Sequence, residues 1–364
     1  MDNVTTNPSD IIAKFNAKGL PESFCLIPFT SIIFEPDGKI GVCRNKGSDF
    51  PIEQLENFNQ DFSINDIWNN SFIRKWREEF LTGNVSICSK EIKNRKCNLC
   101  PKYNSLLDDI DLNSDQHNYP ILRIGINFND RCNLQCQMCN VGSKSNKNYF
   151  HTNTWKKIEK EILPNVKEIE LIAGEPLIQK STFQLMEIIE RINPDCLWTI
   201  TTNGHWLLNN YIKQSLDRIK IKNLIISLDS LQPKTYHKIR YPGKLATVLK
   251  NIDKIIEYNK SRITNDLTDM EIRINFLTQI DNWKEVPNWI DFCQKKKITP
   301  FITFLYEPEQ FSLTTLTLKK RIEILNYYLK NIPHNNRQCL QRILRPLWNS
   351  IPPIDRSVLA NHLQ

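Results

Sequence analysis

Between residues 119 and 310 the chain repeats one pattern: a short apolar run of strand length, then a longer stretch with apolar positions three or four residues apart. The runs ILRIGINF, KEIELIA, LWTITTN, NLIISLD, EIRINFL and PFITFLY lie at 121–128, 167–173, 197–203, 223–229, 271–277 and 300–306. Between them, STFQLMEIIERI at 181–192 and LATVLKNIDKIIEY at 245–258 carry helical periodicity. Strands alternating with amphipathic helices predict parallel β–α units and an α/β fold. Six such units suit an open doubly wound sheet or an incomplete (β/α)6, TIM-like barrel, and periodicity alone leaves both open. In either, ligand chemistry gathers at the carboxyl ends of the strands.

The flanking regions read differently. Residues 1–118 hold Cys25, Cys43, Cys88, Cys97 and Cys100 with little regular repeat, and residues 311–364 look helical, then are punctuated by Pro333, Pro346, Pro352 and Pro353. The polar, acidic stretch 108–118 suits a linker. The division expected is therefore a small N-terminal cysteine-rich α+β domain (1–118), a barrel-like core (119–310) and a helical extension (311–364). The net charge of +8 is spread without a long arm of one sign, and Lys295, Lys296 and Lys297 form its densest run. That balance suits a weak preference for anionic ligands and no dedicated nucleic-acid binding. No stretch approaches the roughly 20 apolar residues of a membrane span. The opening MDNVTTNPSDII lacks the basic region and apolar core of a secretory signal. A cytoplasmic protein is expected, in which the 11 cysteines stay reduced and their clustering points to metal binding or catalysis rather than disulfides.

NFNDRCNLQCQMCNVGSK, residues 127–144, follows the first strand and crowds Cys132, Cys136 and Cys139 together on that working edge. Ordinary loop cysteines seldom come three together in a polar loop. A structural zinc ion needs four closed ligands, usually from paired C-x2-C units. An iron–sulfur cluster takes thiolates, usually four, so a loop offering three leaves one iron open to a ligand. The spacing resembles the C-x3-C-x-φ-C signature of the radical S-adenosylmethionine (SAM) superfamily. IAGEPL (172–177) resembles that family's G-G-E-P motif, TTNG (201–204) follows the third strand, and ISLDSLQPKTYHKIR (226–240) is similar to its S-x-D…R segment. Ala173 in place of the first glycine and Met138 in place of an aromatic residue depart from the pattern.

The resemblance implies a [4Fe–4S] cluster on Cys132, Cys136 and Cys139 whose fourth iron chelates the amino and carboxylate groups of SAM. Glu175 would accept from the SAM ammonium, with Gly174 beside it in the cofactor site, Ser227 and Asp229 would bond the ribose or carboxylate, Arg240 would pair with the carboxylate, and Asn203 would line the same cavity. Each has a structural alternative. Glu175 can be a surface acid before a helix with Pro176 in its first turn, Ser227 can be a satisfied strand-end hydroxyl, and Asp229 can cap the helix after Ser230. Arg240 can make a surface ion pair, and Asn203 can serve the turn before Gly204. The implied reaction passes one electron, from a donor of flavodoxin or ferredoxin type, through the cluster into SAM. That gives methionine and a 5′-deoxyadenosyl radical, which takes hydrogen from an unactivated C–H bond. Asn275 and Tyr306 are candidates to face the substrate.

FCLIPFTSIIFEPDGKIGVC, residues 24–43, spaces its residues C-x12-G-x4-C, and Asp37-Gly38 between two apolar runs reads as a hairpin turn. KCNLC at 96–100 adds Cys97 and Cys100. The set resembles the SPASM/twitch auxiliary-cluster domains of radical SAM enzymes, here placed ahead of the barrel, and SINDIWNNSFIRKWREEFLTGN (63–84) is similar to their helical segment. The resemblance implies one auxiliary [4Fe–4S] cluster on Cys25, Cys43, Cys97 and Cys100. A four-cysteine zinc site fits the same spacing. Cys88 either replaces Cys97 or Cys100 or stays a thiol, while Cys196, Cys293 and Cys339 read as buried small hydrophobes. The substrate expected is a peptide or protein side chain or a small metabolite. The alternative is a non-catalytic iron–sulfur or zinc protein that keeps the fold.

Overall fold

The computed structural model describes residues 8–35, 39–43, 53–54, 63–88, 92, 96–112, 119–139 and 152–360. Its centre is one nine-stranded sheet. The N-terminal strands are β1 (Ser31–Phe34), β2 (Lys39–Gly41) and β3 (Glu53–Gln54), followed by β4 (Arg123–Ile126), β5 (Glu168–Leu171), β6 (Leu197–Thr202), β7 (Lys220–Ser227), β8 (Glu271–Thr278) and β9 (Thr299–Phe304). The order is β3-β2-β1-β4-β5-β6-β7-β8-β9, with every neighbouring pair from β4 to β9 parallel. Among the described residues the sheet does not close on itself, since β3 and β9 are its edges, and β4 to β9 follow chain order without the reversal of a doubly wound sheet, which is the incomplete barrel.

The hairpin expected around Asp37-Gly38 has its strands paired, Ile33 opposite Gly41, although the turn itself lies outside the described residues. The sequence did not show where that hairpin goes. β1 runs parallel to β4, Ser31 opposite Arg123 and Phe34 opposite Ile126, so the N-terminal region extends the barrel's own sheet. Of the expected linker, Asp108 is tied to Lys14 and Lys18 and Ile110 is buried, while 113–118 lie outside the described residues.

Alternation along each strand separates two faces. One parity is apolar: Ile124, Ile169, Ile200, Ile226, Phe276 and Ile302 are all at most 1% exposed. They share one core with Leu185 and Met186 of helix Lys180–Ile192, Val248 and Ile252 of Leu245–Thr264, and Trp289 of Val286–Lys296. Truncating one such residue, Ile200→Ala, is expected to cost about 2–5 kcal/mol. The other parity is polar. Arg123 meets Glu168 at 2.6 Å, Asn223 donates to the Thr199 hydroxyl at 3.3 Å, and the Thr303 hydroxyl donates to Asn275 at 2.9 Å. Burial pushes the Glu168 carboxyl up, but Arg123 and Lys222 outweigh that and hold it below its ordinary range.

The N-terminal helix Ser71–Thr82 starts under an Asn70 cap, whose side chain accepts from Ile73 N–H at 2.9 Å, and stops at Gly83. It buries Arg77, which lies 4.4 Å from the Trp68 ring and donates to the Pro28 carbonyl at 2.8 Å. Burial lowers that guanidinium to about 10. At the other end, helix Gln341–Asn349 packs beside β9 with Arg342 over the Phe301 ring at 4.7 Å.

Candidate functional site

The loop after β4 carries the cysteine triplet across the carboxyl edge of the sheet, and loops from four other strand ends hold it. From the β5 end, Glu175 N–H donates to the Arg131 carbonyl at 2.9 Å. The approach demands glycine next door: Gly174 has φ +63°, and a Cβ there would stand 2.5 Å from the Arg131 oxygen. From the β6 end, Asn203 Nδ2 donates to Asn133 Oδ1 at 2.8 Å and to Cys132 Sγ at 3.5 Å. The segment after β7 pairs with the loop as a short ladder: Gln135 and Gln137 N–H donate to Tyr241 and Ile239 carbonyls at 2.6 and 2.9 Å. The β8 end receives the Gln137 side chain, whose Nε2 donates to Gln279 Oε1 and Asp281 Oδ2, both at 2.9 Å.

These supports aim donors at sulfur. Leu134 N–H reaches Cys132 Sγ at 3.4 Å and Arg240 Nη1 reaches Cys136 Sγ at 3.9 Å. Burial still makes the thiols resist ionisation. Burial raises Cys132 and pushes Cys136 up to about 11, with Leu134 N–H and Arg240 respectively opposing. Cys139 is exposed.

Glu175 is fully buried. Its carboxylate accepts from Asn203 N–H at 2.6 Å, the Thr202 hydroxyl at 2.7 Å and Leu177 N–H at 3.1 Å. Burial pushes it up to about 7 against those donors. The side chain thus welds the β5 and β6 loops together and caps the short turn Pro176–Ile178, but its full burial makes it no surface acid, as its alternative reading had it.

Asp229 does not cap the following helix. That helix, Pro233–Ile239, starts after Gln232, and Ser230 bonds to the Glu285 carboxylate instead. Asp229, fully buried, accepts from Arg240 Nε at 2.7 Å and from Leu277 N–H at 2.8 Å. Arg240 is likewise buried and not at the surface, where its alternative reading placed it. Burial works against its cation, but Asp229 and Cys136 more than offset it and raise its pKa. Ser227 ends β7 opposite Asn275, nearly buried at 7% exposure. Sequence reasoning missed His205, stacked on Tyr236 at 5.8 Å, and Gln137, whose partners lie 142 and 144 positions away.

A second group of thiols surrounds a cavity in the N-terminal region, lined by Cys25, Cys43, Cys88 and Cys97 together with Trp76, Phe80 and Tyr103. Burial raises Cys25 well above its ordinary value, and Cys43, Cys97 and Cys88 add to that. Of the expected C-x2-C pair, Cys97 lines the cavity, and Cys100, which ends the single turn Cys97–Leu99 and opens helix Pro101–Asn104, acts with Cys43 and Cys97 on Tyr103 of the same cavity. Among the described residues no three Cys, His, Asp or Glu side chains close on one point as a single ion requires. The four thiols stand around a space instead.

The fold and the edge triad define a family. The model of the radical SAM superfamily matches residues 126–270. A protein of Methanococcus maripaludis (strain C6), "Probable GTP 3′,8-cyclase", is 30% identical over 220 residues, covering 57% of this chain and 68% of that one. The chain belongs to the radical SAM superfamily. A "Probable GTP 3′,8-cyclase" of Methanocaldococcus jannaschii is 31% identical over 185 residues, covering 50% of this chain and 57% of that one. The chain therefore spans only 57–68% of the length of these two relatives. Among solved structures, Streptococcus suis SuiB bound to S-adenosylmethionine is similar with a TM-score of 0.44 and 16% identity, over 89% of this chain and 71% of that one. Membership implies SAM and a [4Fe–4S] cluster, and the donor set fits them: three thiols on one loop, two of them already facing N–H donors. No helix of the described residues is long and apolar enough to cross a membrane.

Proposed function

We propose that the chain cleaves SAM reductively at a [4Fe–4S] cluster held by Cys132, Cys136 and Cys139 and directs the resulting radical at a polar substrate. The observation that carries this reading is the triplet loop itself, held at the strand ends with Leu134, Asn203 and Arg240 donors on its sulfurs. When bound, the cluster and SAM supply a one-electron cleavage that yields methionine and a 5′-deoxyadenosyl radical able to take hydrogen from a C–H bond.

The chain's own part is placement. Gly174 lets the β5 loop approach Arg131, and Glu175 fixes that loop to the β6 loop. Ser227 and Asn203 stand at the rim, where a SAM ribose or carboxylate is proposed. Arg240 is committed to Asp229, so its proposed role is to hold positive charge beside Cys136, with any SAM carboxylate taking a remaining N–H.

Toward the carboxyl ends the strands carry polar side chains, Ser227 opposite Asn275 and the Thr303 hydroxyl donating to Asn275 at 2.9 Å, which supports a polar substrate. A peptide side chain or a small metabolite is the proposed class, and GTP, which the relatives' names carry, is the first small molecule to try. The N-terminal cavity is proposed to hold an auxiliary [4Fe–4S] cluster, since several thiols line it and, among the described residues, no three Cys, His, Asp or Glu side chains close on one point as a single ion requires. A one-electron donor of flavodoxin or ferredoxin type completes the set of partners.

The test is anaerobic: reconstituted protein with dithionite and SAM, assayed for 5′-deoxyadenosine by chromatography. Formation of 5′-deoxyadenosine is expected, and its absence from protein with a full iron load contradicts the proposal.

A further inference from the structure

We propose that the outer face of the triplet loop docks the one-electron donor, and that this donor is a small acidic redox protein seated on Lys234, Lys238, Tyr241 and Lys244. The inference rests on the reading that the edge triad holds a cluster that an outside electron must reach.

Two consecutive residues show how thin the cover is on this side. Arg240, 7% exposed, reaches Cys136 Sγ with Nη1 at 3.9 Å. Tyr241, 52% exposed, takes the Gln135 N–H on its carbonyl at 2.6 Å. A single layer of chain thus separates the sulfurs from solvent. Electron tunnelling falls steeply with distance, so a carrier protein has to sit where the cover is thinnest. An exposed aromatic side chain among charged ones is also what protein interfaces favour. His237 steadies the Tyr241 ring, edge to face at 5.2 Å.

The charge on this face has one sign. Between Asp229 and Asp253 the sequence holds Lys234, Lys238, Arg240, Lys244 and Lys250 and no Asp or Glu, and residues 131–139 hold no acid either. Lys244 stands at the Asn133 end of the loop: its N–H donates to His205 Nε2 at 3.0 Å, and the His205 carbonyl accepts from Asn133. Lys238 stands at the Gln137 end, where both side chains meet Asp281. Lys234 lies one turn before Lys238 on the same side of helix Pro233–Ile239. Asp281 neutralises part of the Lys238 charge, whereas Lys234 and Lys244 have no carboxylate partner among the described residues. Several lysines away from this edge are paired, Lys14 with Asp108, Lys220 with Asp195 and Lys296 with Asp253. Unpaired positive charge over a thin cover selects an acidic partner and speeds its encounter. In the step itself the reduced carrier gives up one electron and the cluster passes from [4Fe–4S]2+ to [4Fe–4S]1+, with no bond or proton exchanged.

The experiment compares the loaded full chain with Lys234→Glu plus Lys244→Glu and, as a control near the amino end of β9, with Lys295→Glu plus Lys297→Glu. Each receives SAM and either excess dithionite, an acidic flavodoxin or an acidic ferredoxin, the carriers reduced beforehand, and 5′-deoxyadenosine is followed. Dithionite is expected to drive all three chains equally. The carriers are expected to drive the wild type and the control, and to drive the first variant about tenfold more slowly at low salt. Binding is read separately, by titration of the oxidised flavodoxin through its flavin fluorescence and by carbodiimide coupling of carrier carboxylates to lysines, mapped by mass spectrometry. Affinity is expected to fall by a similar factor in the first variant alone, and the cross-links to fall on Lys234 or Lys244. Equal loss in the control, no loss in the first variant, cross-links confined to other lysines, or a wild type that neither carrier reduces overturns the docking face while leaving the proposed function standing. A wild type that dithionite does not drive overturns the proposed function and the docking role with it.

Discussion

The two thiol centres differ in what surrounds them. The edge triad sits among polar groups, with Asn203 and Arg240 aimed at its sulfurs and Cys139 exposed. The N-terminal thiols are walled by Trp76, Phe80 and Ile92, with Cys25 and Cys88 buried. On the proposed clusters, three thiols at the donor-rich edge would leave one coordination position for a ligand, whereas four thiols at the N-terminal site would leave none. The first arrangement suits chemistry on a bound molecule and the second suits holding an electron out of water. The supports differ as well. The triad depends on loops from distant strands, the N-terminal centre on two side-chain clamps, Asn98 donating to the Phe24 carbonyl and Glu79 accepting from Ser86 N–H.

Substitutions at the edge should break this contrast to graded extents. Cys136→Ala is expected to abolish 5′-deoxyadenosine formation and remove about four irons while leaving the N-terminal cluster's resonance. Full activity in that variant would erase the distinction. Arg240→Gln strands the buried Asp229 carboxylate, a loss of about 3–5 kcal/mol by denaturant unfolding. Adding Asp229→Asn should recover much of it, and the single change should shift the midpoint potential of the edge cluster only. Gly174→Ala forces a side chain onto the Arg131 carbonyl and into a left-handed backbone, about 1–3 kcal/mol. It should show as lower edge-cluster occupancy by iron analysis, with the N-terminal load unchanged. Gln137→Ala loses two hydrogen bonds across the loop, about 1–3 kcal/mol between them, read as a modestly slower SAM cleavage with both clusters present.

The strands of the barrel were legible because one parity is apolar along each of them: Ile124, Ile169 and Ile200 show in sequence the face they bury in structure. The triad was legible because no ordinary loop collects thiols at that spacing. What stayed hidden was long-range. SIIF reads as one arm of a hairpin, and nothing local says that its other edge joins β4 in parallel. Asp229 beside Ser230 looks like a helix cap until Arg240 and Leu277 are folded against it. Gln137 is an unmarked residue inside the signature, and its partners on the β8 loop have no sequence trace. Cys88 was ambiguous for the same reason, since the Glu79 clamp that helps bring its segment to the cavity is a contact between side chain and backbone that no local pattern marks.

The central claim is that the edge triad holds an iron–sulfur cluster with one open iron. Electron paramagnetic resonance of the dithionite-reduced, reconstituted chain, recorded with and without SAM, tests it most directly. The account predicts that one cluster signal changes on adding SAM and that this signal is missing from Cys136→Ala. A spectrum that SAM leaves untouched would contradict it.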